Sequence, residues 1–378
     1  MGVGRISASE LDSFIQEVDK LGGPSSARAI DYLSDFSLTF KTKVDESLDP
    51  FSEDYCNCQL GLYRELSGRE LNQETGEQTT IDVEVHSLGV NPYNSRDINF
   101  IAKHARAVLT AIYMANLPTG ASVLDMGSGW GLSSEMMAFC GANVTSVDIN
   151  PLFIELNQKR ASRLSLPIHS RLSEFDTYTD EKKYDLVFFY ECLHHAVRPW
   201  ETLKHIAQFV SPAGKIAFSG EPINDIFWKN WGLRLDALSI YCIRKFGWFE
   251  SGWSEKFLSQ AFSYAGFTLN LYPHVGLDNG LVGLATRTSE NLNPLESFNL
   301  QLTHPTSHLT NIYQHLTNTY NDLTNSHNDL TSTYNSLQES FRSLSEKISH
   351  SDQRKLSQSK RRRFTALVRK ALHSLRGR

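Results

Sequence analysis

The sequence predicts an α/β fold in which a mostly parallel β-sheet is followed by a long α-helical coiled coil. Apolar, strand-like runs alternate with helical patterns between about residues 98 and 217, as expected for a sheet covered by helices on both faces. One of these runs, residues 123–126, leads directly into a glycine-rich turn. Farther along, leucine recurs at every seventh position over residues 302–344, which is a coiled-coil pattern.

The composition limits the kind of protein that this chain can be. With 378 residues, 40% of them hydrophobic, the chain can bury a full-sized core and still supply a second region. It has no apolar run of about 18 residues and no charged-then-apolar N-terminal pattern, so neither a membrane-spanning helix nor secretion is expected. The spacing of the cysteines predicts no metal centre and favours a reducing cytoplasm. These cysteines are Cys56, Cys58, Cys140, Cys192 and Cys242.

The glycine-rich turn indicates a site for a nucleoside-bearing ligand. Residues 123–131 read V-L-D-M-G-S-G-W-G, so glycine stands at every second position after a buried strand and before a helix that begins near Leu132. Glycine lets the backbone approach a ligand closely, and the first N–H groups of the helix can bind an anion. A dinucleotide site would need glycine or alanine where Leu132 stands, so the pattern for a pyrophosphate is incomplete.

The D-x-G-x-G-x-G pattern that starts at Asp125 resembles the first motif of class I S-adenosylmethionine-dependent methyltransferases. Three further motifs of that family follow in the same order. Asp148 follows a short strand, 23 residues after Asp125; an apolar strand within residues 184–195 ends in Leu-His-His; and residues 211–218 combine a Ser-Pro-Ala-Gly turn with a fifth strand. The Leu-His-His ending is similar to the subgroup related to ubiquinone and sterol methyltransferases. The resemblance covers residues 90–290.

This resemblance implies a Rossmann-like, seven-stranded sheet closed by an antiparallel hairpin over residues 268–286, with S-adenosylmethionine as cofactor. The cofactor carries an amino-acid end and no phosphate, so Asp125 suits its ammonium group and the helix N-terminus suits its carboxylate. Asp148 suits the two ribose hydroxyls. The family's acid after the third strand is absent, which leaves Ser173 or Glu174 for the adenine. The full set of predicted cofactor residues is Asp125, Gly127, Ser128, Gly129, Gly131, Asp148, Ile149, Ser173, Glu174 and Glu191.

Polar residues at the ends of the fourth and fifth strands are candidates for catalysis and substrate binding, because ligands of open α/β sheets bind at that edge. Methyl transfer to a hydroxyl needs a base near the methyl group. We predict His195 as this base and Glu191 as the next candidate, with His194 beside them. In the resembling family, however, this histidine often lines the site without acting as a base. The predicted substrate-binding residues are Tyr93, Glu221, Trp228 and Trp231.

The regions around the sheet divide the chain further. Residues 1–90 are predicted as a helical cap, residues 91–290 as the methyltransferase domain, and residues 221–255 as an aromatic insert within that domain. Four of the six tryptophans lie in the insert, namely Trp228, Trp231, Trp248 and Trp253. They either pack on the domain or cover a substrate such as a sugar, and the two roles are compatible.

The last quarter of the chain has a different composition. Heptads over residues 302–350 predict a coiled coil, as a dimer or a trimer, although their Asn, Thr and Ser content also fits a disordered linker. Residues 351–378 carry ten basic side chains and one acid, a net charge of +9 in a chain of net charge −5. They predict a basic amphipathic helix that contacts a membrane surface or a partner protein, and nucleic acid is not expected.

The order of domain, coiled coil and amphipathic helix resembles that of bacterial methyltransferases that terminate chains in O-polysaccharide assembly, although the kinase domain of some of those proteins is absent. The resemblance implies O-methylation of the terminal sugar of a lipid-linked glycan. It places a cytoplasmic protein on the inner face of the cell membrane, with a glycosyltransferase or polymerase as partner. Two alternatives stay open: a methyltransferase for a small molecule, and a catalytically silent scaffold that recruits a polymerase.

Overall fold

The computed structural model describes residues 2–73, 80–273 and 281–287, together with residues 363–370 and a few positions between 334 and 342. The chain divides into two compact units, Met1–Leu292 and Asn293–Arg378. The predicted cap, the predicted domain and its insert all belong to the first unit. The coiled-coil heptads and the basic tail belong to the second.

The N-terminal region is mostly helical, as predicted. Its elements are β1 (Arg5–Ser7), α1 (Leu11–Lys20), α2 (Ala27–Leu33), β2 (Ser37–Thr39), α3 (Glu53–Ser67) and α4 (Val83–Leu88). The two short strands pair in parallel. Helix α3 starts at Ser52, whose side chain accepts a hydrogen bond from the backbone N–H of Tyr55, and it ends at Gly68 in the left-handed conformation. Both ends therefore carry the residue types that satisfy helix termini.

Strands and helices then alternate as the sequence predicted. The elements are α5 (Ile98–Ala115), β3 (Ser122–Met126), α6 (Leu132–Phe139), β4 (Asn143–Asp148), α7 (Pro151–Leu164), β5 (Ile168–Leu172), β6 (Tyr184–Tyr190), α8 (Pro199–Ile206) and β7 (Val210–Ser219). The insert and the end of this unit add β8 (Trp231–Leu233), α9 (Ala237–Lys245), β9 (Ser251–Trp253), α10 (Glu255–Tyr264), β10 (Phe267–Pro273) and β11 (Leu281–Arg287).

The main sheet has seven strands in the order β10-β11-β7-β6-β3-β4-β5. Strands β3 to β7 are parallel, and β11 pairs antiparallel with both β7 and β10. This arrangement confirms the predicted mostly parallel sheet with an antiparallel last hairpin. Strand β3 lies between β4 and β6, and the strand order reverses at this point. Ligands of open α/β sheets bind in the crevice at the carboxyl ends of the strands on either side of such a reversal.

The N-terminal cap and the aromatic insert are packed into one core. The hydroxyl of Tyr55 donates to the carbonyl of Trp231 at 2.6 Å, and the hydroxyl of Tyr63 donates to the carbonyl of Gly247 at 2.6 Å. Arg244 of the insert forms two 2.7 Å hydrogen bonds with Asp12 of α1. These contacts join residues 176 to 232 positions apart in sequence, and the cap and the insert share one hydrophobic core cluster.

Trp231 is part of this shared core, which makes its predicted role in substrate binding wrong. Its side chain is only 1% exposed, its ring packs edge-on against Tyr55, and its indole N–H donates to the carbonyl of Pro50 at 2.8 Å. Trp253 is likewise fully buried. For these two tryptophans the alternative of packing on the domain is the one that the structure supports.

The second unit is described only in part. The predicted coiled coil over residues 302–350 lies outside the described residues, except for a few positions between 334 and 342 that are helical. Residues 363–370, within the predicted amphipathic helix, are also helical, and Phe364 and Leu367 are 55% and 69% exposed. Among the helices described, none is both long and apolar enough to cross a membrane.

Candidate functional site

A cleft of about 450 Å³ lies at the carboxyl edge of the sheet. Most of the predicted cofactor residues line it: Gly127, Ser128, Gly129, Asp148, Ile149, Ser173, Glu174 and Glu191. The predicted base His195 and the predicted substrate residue Tyr93 line it as well. Asp125, Gly131, His194, Glu221, Trp228 and Trp231 are not part of its lining. The structure therefore brings most of the predicted cofactor residues together in one cleft and places the other six predicted residues outside its lining.

The glycine loop after β3 is shaped by close packing. Gly127 has φ of +68°, and a Cβ atom placed on it would lie 2.8 Å from both Cβ and Sγ of Cys192. Only glycine fits this position without a shift of its neighbours. Gly131, at φ of +88°, begins α6, and a Cβ there would collide with the side-chain amide of Asn157. Gly131 therefore packs against Asn157, away from the cleft, whereas Gly127 and Gly129 line the cleft.

Asp148, at the tip of β4, holds the glycine loop in place. Its Oδ2 accepts the backbone N–H of Gly129 at 2.7 Å, and its Oδ1 accepts the backbone N–H of Asn150 at 2.8 Å. Since the carboxylate also lines the cleft, its position agrees with the predicted ribose contact.

Asp125 does not reach the cleft surface. Its side chain is fully buried, and Oδ2 accepts hydrogen bonds from the hydroxyls of Ser133 and Ser134 at 2.7 and 2.5 Å. Burial raises the pKa of Asp125 to about 7; the charge of Asp148 also raises it, and the two serine hydroxyls oppose the shift. Ser133 lines the cleft and Asp125 does not, so the predicted contact between Asp125 and an ammonium group stays a prediction.

The buried state of Asp125 predicts a pH dependence of folding stability. An aspartate has a pKa near 3.9 in the unfolded chain and about 7 here, so the folded state keeps a proton that the unfolded state loses. The contribution of this group is fully present below about pH 4 and is lost as the pH rises to about 7, by roughly 1.4 kcal/mol for each unit between the two values. Asp125→Asn should remove this dependence. Urea unfolding of both proteins from pH 4.5 to 8 measures it, and identical slopes would contradict it.

The cleft is also lined by three titratable side chains that contact one another, two of which the sequence analysis missed. His104, from α5, is hydrogen-bonded through Nδ1 to the hydroxyl of Tyr190, and the same Nδ1 lies 3.9 Å from Oε2 of Glu191. Glu191 has φ of +50°, a conformation that costs free energy for a residue with a Cβ. A Cβ on Gly220 would collide with the Glu191 side chain, so the loop after β7 needs glycine there.

Glu221 supports the loop after β6 from below, and its predicted contact with substrate is wrong. It is 1% exposed, and its carboxylate accepts the backbone N–H groups of Cys192, Leu193 and His194 at 3.0 to 3.1 Å. It also lies 2.8 Å from Nδ1 of His194. Burial opposes ionisation of Glu221, yet the charge and hydrogen bond of His194 and these N–H groups hold its pKa below the usual value.

His194 shares this buried position and is not part of the cleft lining, so the structure does not place it for catalysis. Trp228 lines a separate depression of about 510 Å³, formed by residues 222–236, and not the cleft. The insert instead sends Trp248 into the cleft, with its ring centroid 5.8 Å from that of His195. The sequence grouped these tryptophans together, but composition alone could not tell which of them faces the cleft.

Aromatic rings form much of the remaining wall. Tyr93 packs with Phe100, His104 and Trp130 at centroid distances of 5.2 to 5.7 Å, and Trp130 packs with Phe153 at 5.2 Å. Burial, together with the charge of Glu191, raises the pKa of Tyr93. These rings come from α5, α7 and two loops, and no local sequence pattern links them. The cleft lining therefore combines polar groups, the glycine loop and aromatic rings.

This fold and this site together define a class I, S-adenosylmethionine-dependent methyltransferase domain. Residues 124–218 match the family model described as "Methyltransferase domain". The match runs from β3 to β7 and so includes the glycine loop, Asp148 and Glu191, and it confirms the predicted cofactor type.

Curated relatives match over the same region. The ubiquinone biosynthesis O-methyltransferase of Coxiella burnetii is 35% identical over 101 residues, which are 26% of this chain and 43% of that protein. The mitochondrial ubiquinone biosynthesis O-methyltransferase of Schizosaccharomyces pombe is 34% identical over 108 residues, 28% of this chain and 39% of that protein. The chain thus spans less than half the length of these relatives.

Two solved methyltransferase structures are among those similar to this chain. A putative methyltransferase in complex with the Haloferax volcanii Trm112 activator is 16% identical, covering 56% of this chain and 99% of that one, with a TM-score of 0.43. The 1,6-didemethyltoxoflavin-N1-methyltransferase of Burkholderia thailandensis is 21% identical, covering 55% of this chain and 85% of that one, with a TM-score of 0.40.

Proposed function

We propose that this chain transfers the methyl group of S-adenosylmethionine to a hydroxyl oxygen of an acceptor bound in the cleft. The observation that carries the proposal is that a single cleft is lined by the glycine loop and Asp148 and also by Glu191, His104 and His195. Asp148 would hold the ribose, Ser173 and Glu174 the adenine, and the loop the methionyl end. Transfer then requires the acceptor oxygen in line with the sulfonium and the site closed to water.

Glu191 is the residue that we assign as the base. Its carboxylate lies in the cleft beside His104, and its strained backbone directs it there, which is a common property of functional positions. The sequence placed His195 first, and His195 does line the cleft, with Nδ1 3.1 Å from the carbonyl of Phe249. In the proposed reaction, Glu191 takes the proton of the acceptor hydroxyl as the methyl group is transferred.

The acceptor that we propose is the terminal sugar of a glycan. Supporting it are the order of the regions in the chain and the aromatic faces in the cleft, since such faces stack on the apolar faces of sugars. A small aromatic hydroxyl compound is the second candidate, because Tyr93, Phe100, Trp130 and Phe153 together suit a planar ring. The intact glycine loop and Asp148 speak against a catalytically silent scaffold.

We further propose that the C-terminal helix holds the protein on the inner face of the cell membrane. The support is its described part, in which exposed Phe364 and Leu367 stand among Arg363, Arg369 and Lys370. Such a helix binds an anionic membrane surface through both its charge and its apolar face. Oligomers formed through residues 302–350, dimers or trimers, would multiply this contact and could recruit a glycosyltransferase or polymerase.

Titration with S-adenosylhomocysteine tests the cofactor site directly. We expect the full chain to bind it and Gly127→Ala to bind it at least about 30-fold more weakly. The free loop of the variant can shift to relieve the left-handed backbone, roughly 1 kcal/mol, and the contact with Cys192, roughly 1–3 kcal/mol. Binding would require the loop to return to its present position, so these costs would appear as lost affinity. Gly120→Ala is the matched control, because Gly120 has a similar φ of +72° but no atom within 4 Å of the added Cβ. Equal affinities for the two variants, or no binding by the full chain, would overturn the proposed site.

The acceptor is tested by supplying labelled S-adenosylmethionine with either lipid-linked glycans or small hydroxylated aromatic compounds. Label transfer to the glycan supports the sugar assignment. Transfer only to the small compound would support the second candidate and exclude the first.

A further inference from the structure

A second cluster of ligand-type side chains borders the cleft and has no part in the proposed reaction so far. It consists of His194 and His195, from the turn after β6, and Glu250, from the insert. Each offers one ligand atom, and these atoms all lie within 4.8 Å of one another. His194 and Glu250 are each 5% exposed, and His195 belongs to the cleft lining. The cluster therefore lies next to the cleft, and His195 is its member that lines the cleft.

The histidines are oriented as metal-binding histidines usually are. In such sites one ring nitrogen binds the metal and the other donates its proton to a carboxylate or a backbone carbonyl. Here Nδ1 of His194 lies 2.8 Å from the carboxylate of Glu221, and Nδ1 of His195 lies 3.1 Å from the carbonyl of Phe249. Both acceptors select the tautomer that has its lone pair on Nε2. Nε2 of His194 lies 3.5 Å from Oε2 of Glu250.

That last distance fits a shared ion. Two ligands bound at about 2.0–2.1 Å in a tetrahedral zinc site are about 3.3 Å apart. The observed 3.5 Å would need only a small adjustment. Glu250 also accepts a hydrogen bond from Nη1 of Arg234 at 3.4 Å, which fixes the orientation of its carboxylate.

The charges of the cluster also favour a cation. Glu221 and Glu250 are two buried carboxylates, and the guanidinium of Arg234 balances one of them. Buried charges are stable only when they are paired or bound to a metal. A cation between His194 and Glu250 would add positive charge next to this pair of carboxylates.

We propose that His194, His195 and Glu250 bind a divalent ion of the zinc type. Two imidazoles and one carboxylate are the donor set of many catalytic zinc sites, which keep a fourth position for water or substrate. The sequence could not indicate this site, because Glu250 is remote from the two histidines in the chain. If the proposed methyl transfer is correct, such an ion would polarise the acceptor hydroxyl, and Glu191 would remain the base.

Cobalt titration of the full chain tests this proposal without any measurement of activity. One equivalent of Co²⁺ bound by nitrogen and oxygen ligands in tetrahedral geometry should give visible absorption bands that Zn²⁺ abolishes by competition. Glu250→Gln and His194→Gln should each reduce Co²⁺ affinity by at least about tenfold, since second-shell changes alone typically cost 10–100-fold. His169→Gln is the matched control, because His169 is exposed on β5, and it should leave the bands unchanged.

Binding of S-adenosylhomocysteine by each variant establishes that it is folded and separates this proposal from the proposed function. If the full chain binds S-adenosylhomocysteine but gives no cobalt bands, the metal site is overturned. Bands that persist in Glu250→Gln would also overturn it. Loss of the bands in both cluster variants, with nucleoside binding kept, supports it.

Discussion

Replacing Arg160 with alanine should lower the free energy of unfolding by about 3–5 kcal/mol. Arg160 is fully buried in α7. Its guanidinium forms two hydrogen bonds with the carboxylate of Glu135 and donates through Nη1 to the carbonyls of His86 and Gly89 at 3.0 and 2.8 Å. The alanine variant would leave a buried carboxylate uncompensated and two carbonyls without this donor. Urea unfolding at neutral pH measures the loss.

Two comparisons make this test specific. Arg163→Ala, one turn along the same helix, removes an exposed side chain that also donates to Gly89, and it should cost no more than about 1 kcal/mol. The double change Arg160→Met with Glu135→Leu should recover much of the loss, because it removes both charges together. A loss below about 1 kcal/mol in Arg160→Ala would show that the buried pair contributes little.

Glu191→Gln should slow methyl transfer by about 100-fold or more and leave nucleoside affinity nearly unchanged. General base catalysis contributes about 10²–10⁴-fold, and glutamine keeps the size of the side chain while it loses the ability to accept a proton. Single-turnover transfer from labelled S-adenosylmethionine to the acceptor found above measures the chemical step. His195→Gln is the parallel variant, because both residues line the cleft.

The comparison of these two variants decides the assignment of the base. An undiminished chemical step in Glu191→Gln, with a slow one in His195→Gln, would return the role to His195 as the sequence predicted. If the chemical step were undiminished in both variants, removal of the proton from the acceptor hydroxyl would not limit the rate of the reaction.

The parts of the fold that the sequence predicted correctly are those fixed by short, local patterns. Strands such as β3 and β6 are continuous apolar runs that end at glycine or at polar residues, and burial on both faces explains that composition. The position of Asp148 followed from the strand that precedes it. The positions of the glycine loop and Asp148 could therefore be predicted from the sequence.

The direction and depth of individual side chains were not predictable in this way. Asp125 and Glu221 stand at the expected strand ends, but both turn inward to bond serine hydroxyls or backbone N–H groups. His104 lies on α5, and the sequence pattern of this helix indicates only which face packs on the protein. The contact between His104 and Tyr190 depends on how α5 crosses the sheet, which the sequence does not show. Trp231 and Trp248 both lie in the aromatic insert. Only the tertiary packing places Trp231 in the core and Trp248 in the cleft lining.

The shared core of the N-terminal cap and the aromatic insert has a consequence for redesign. The insert contributes Trp248 to the cleft lining and Glu250 to the adjacent cluster. Other residues of the insert are hydrogen-bonded to Tyr55, Tyr63 and Asp12 of the cap. In a chimaera that exchanged the insert alone, the new insert would not fit the surface of the N-terminal cap. Any change of acceptor preference by segment grafting would therefore have to transplant both stretches as a matched set, even though most of the methyltransferase sequence lies between them.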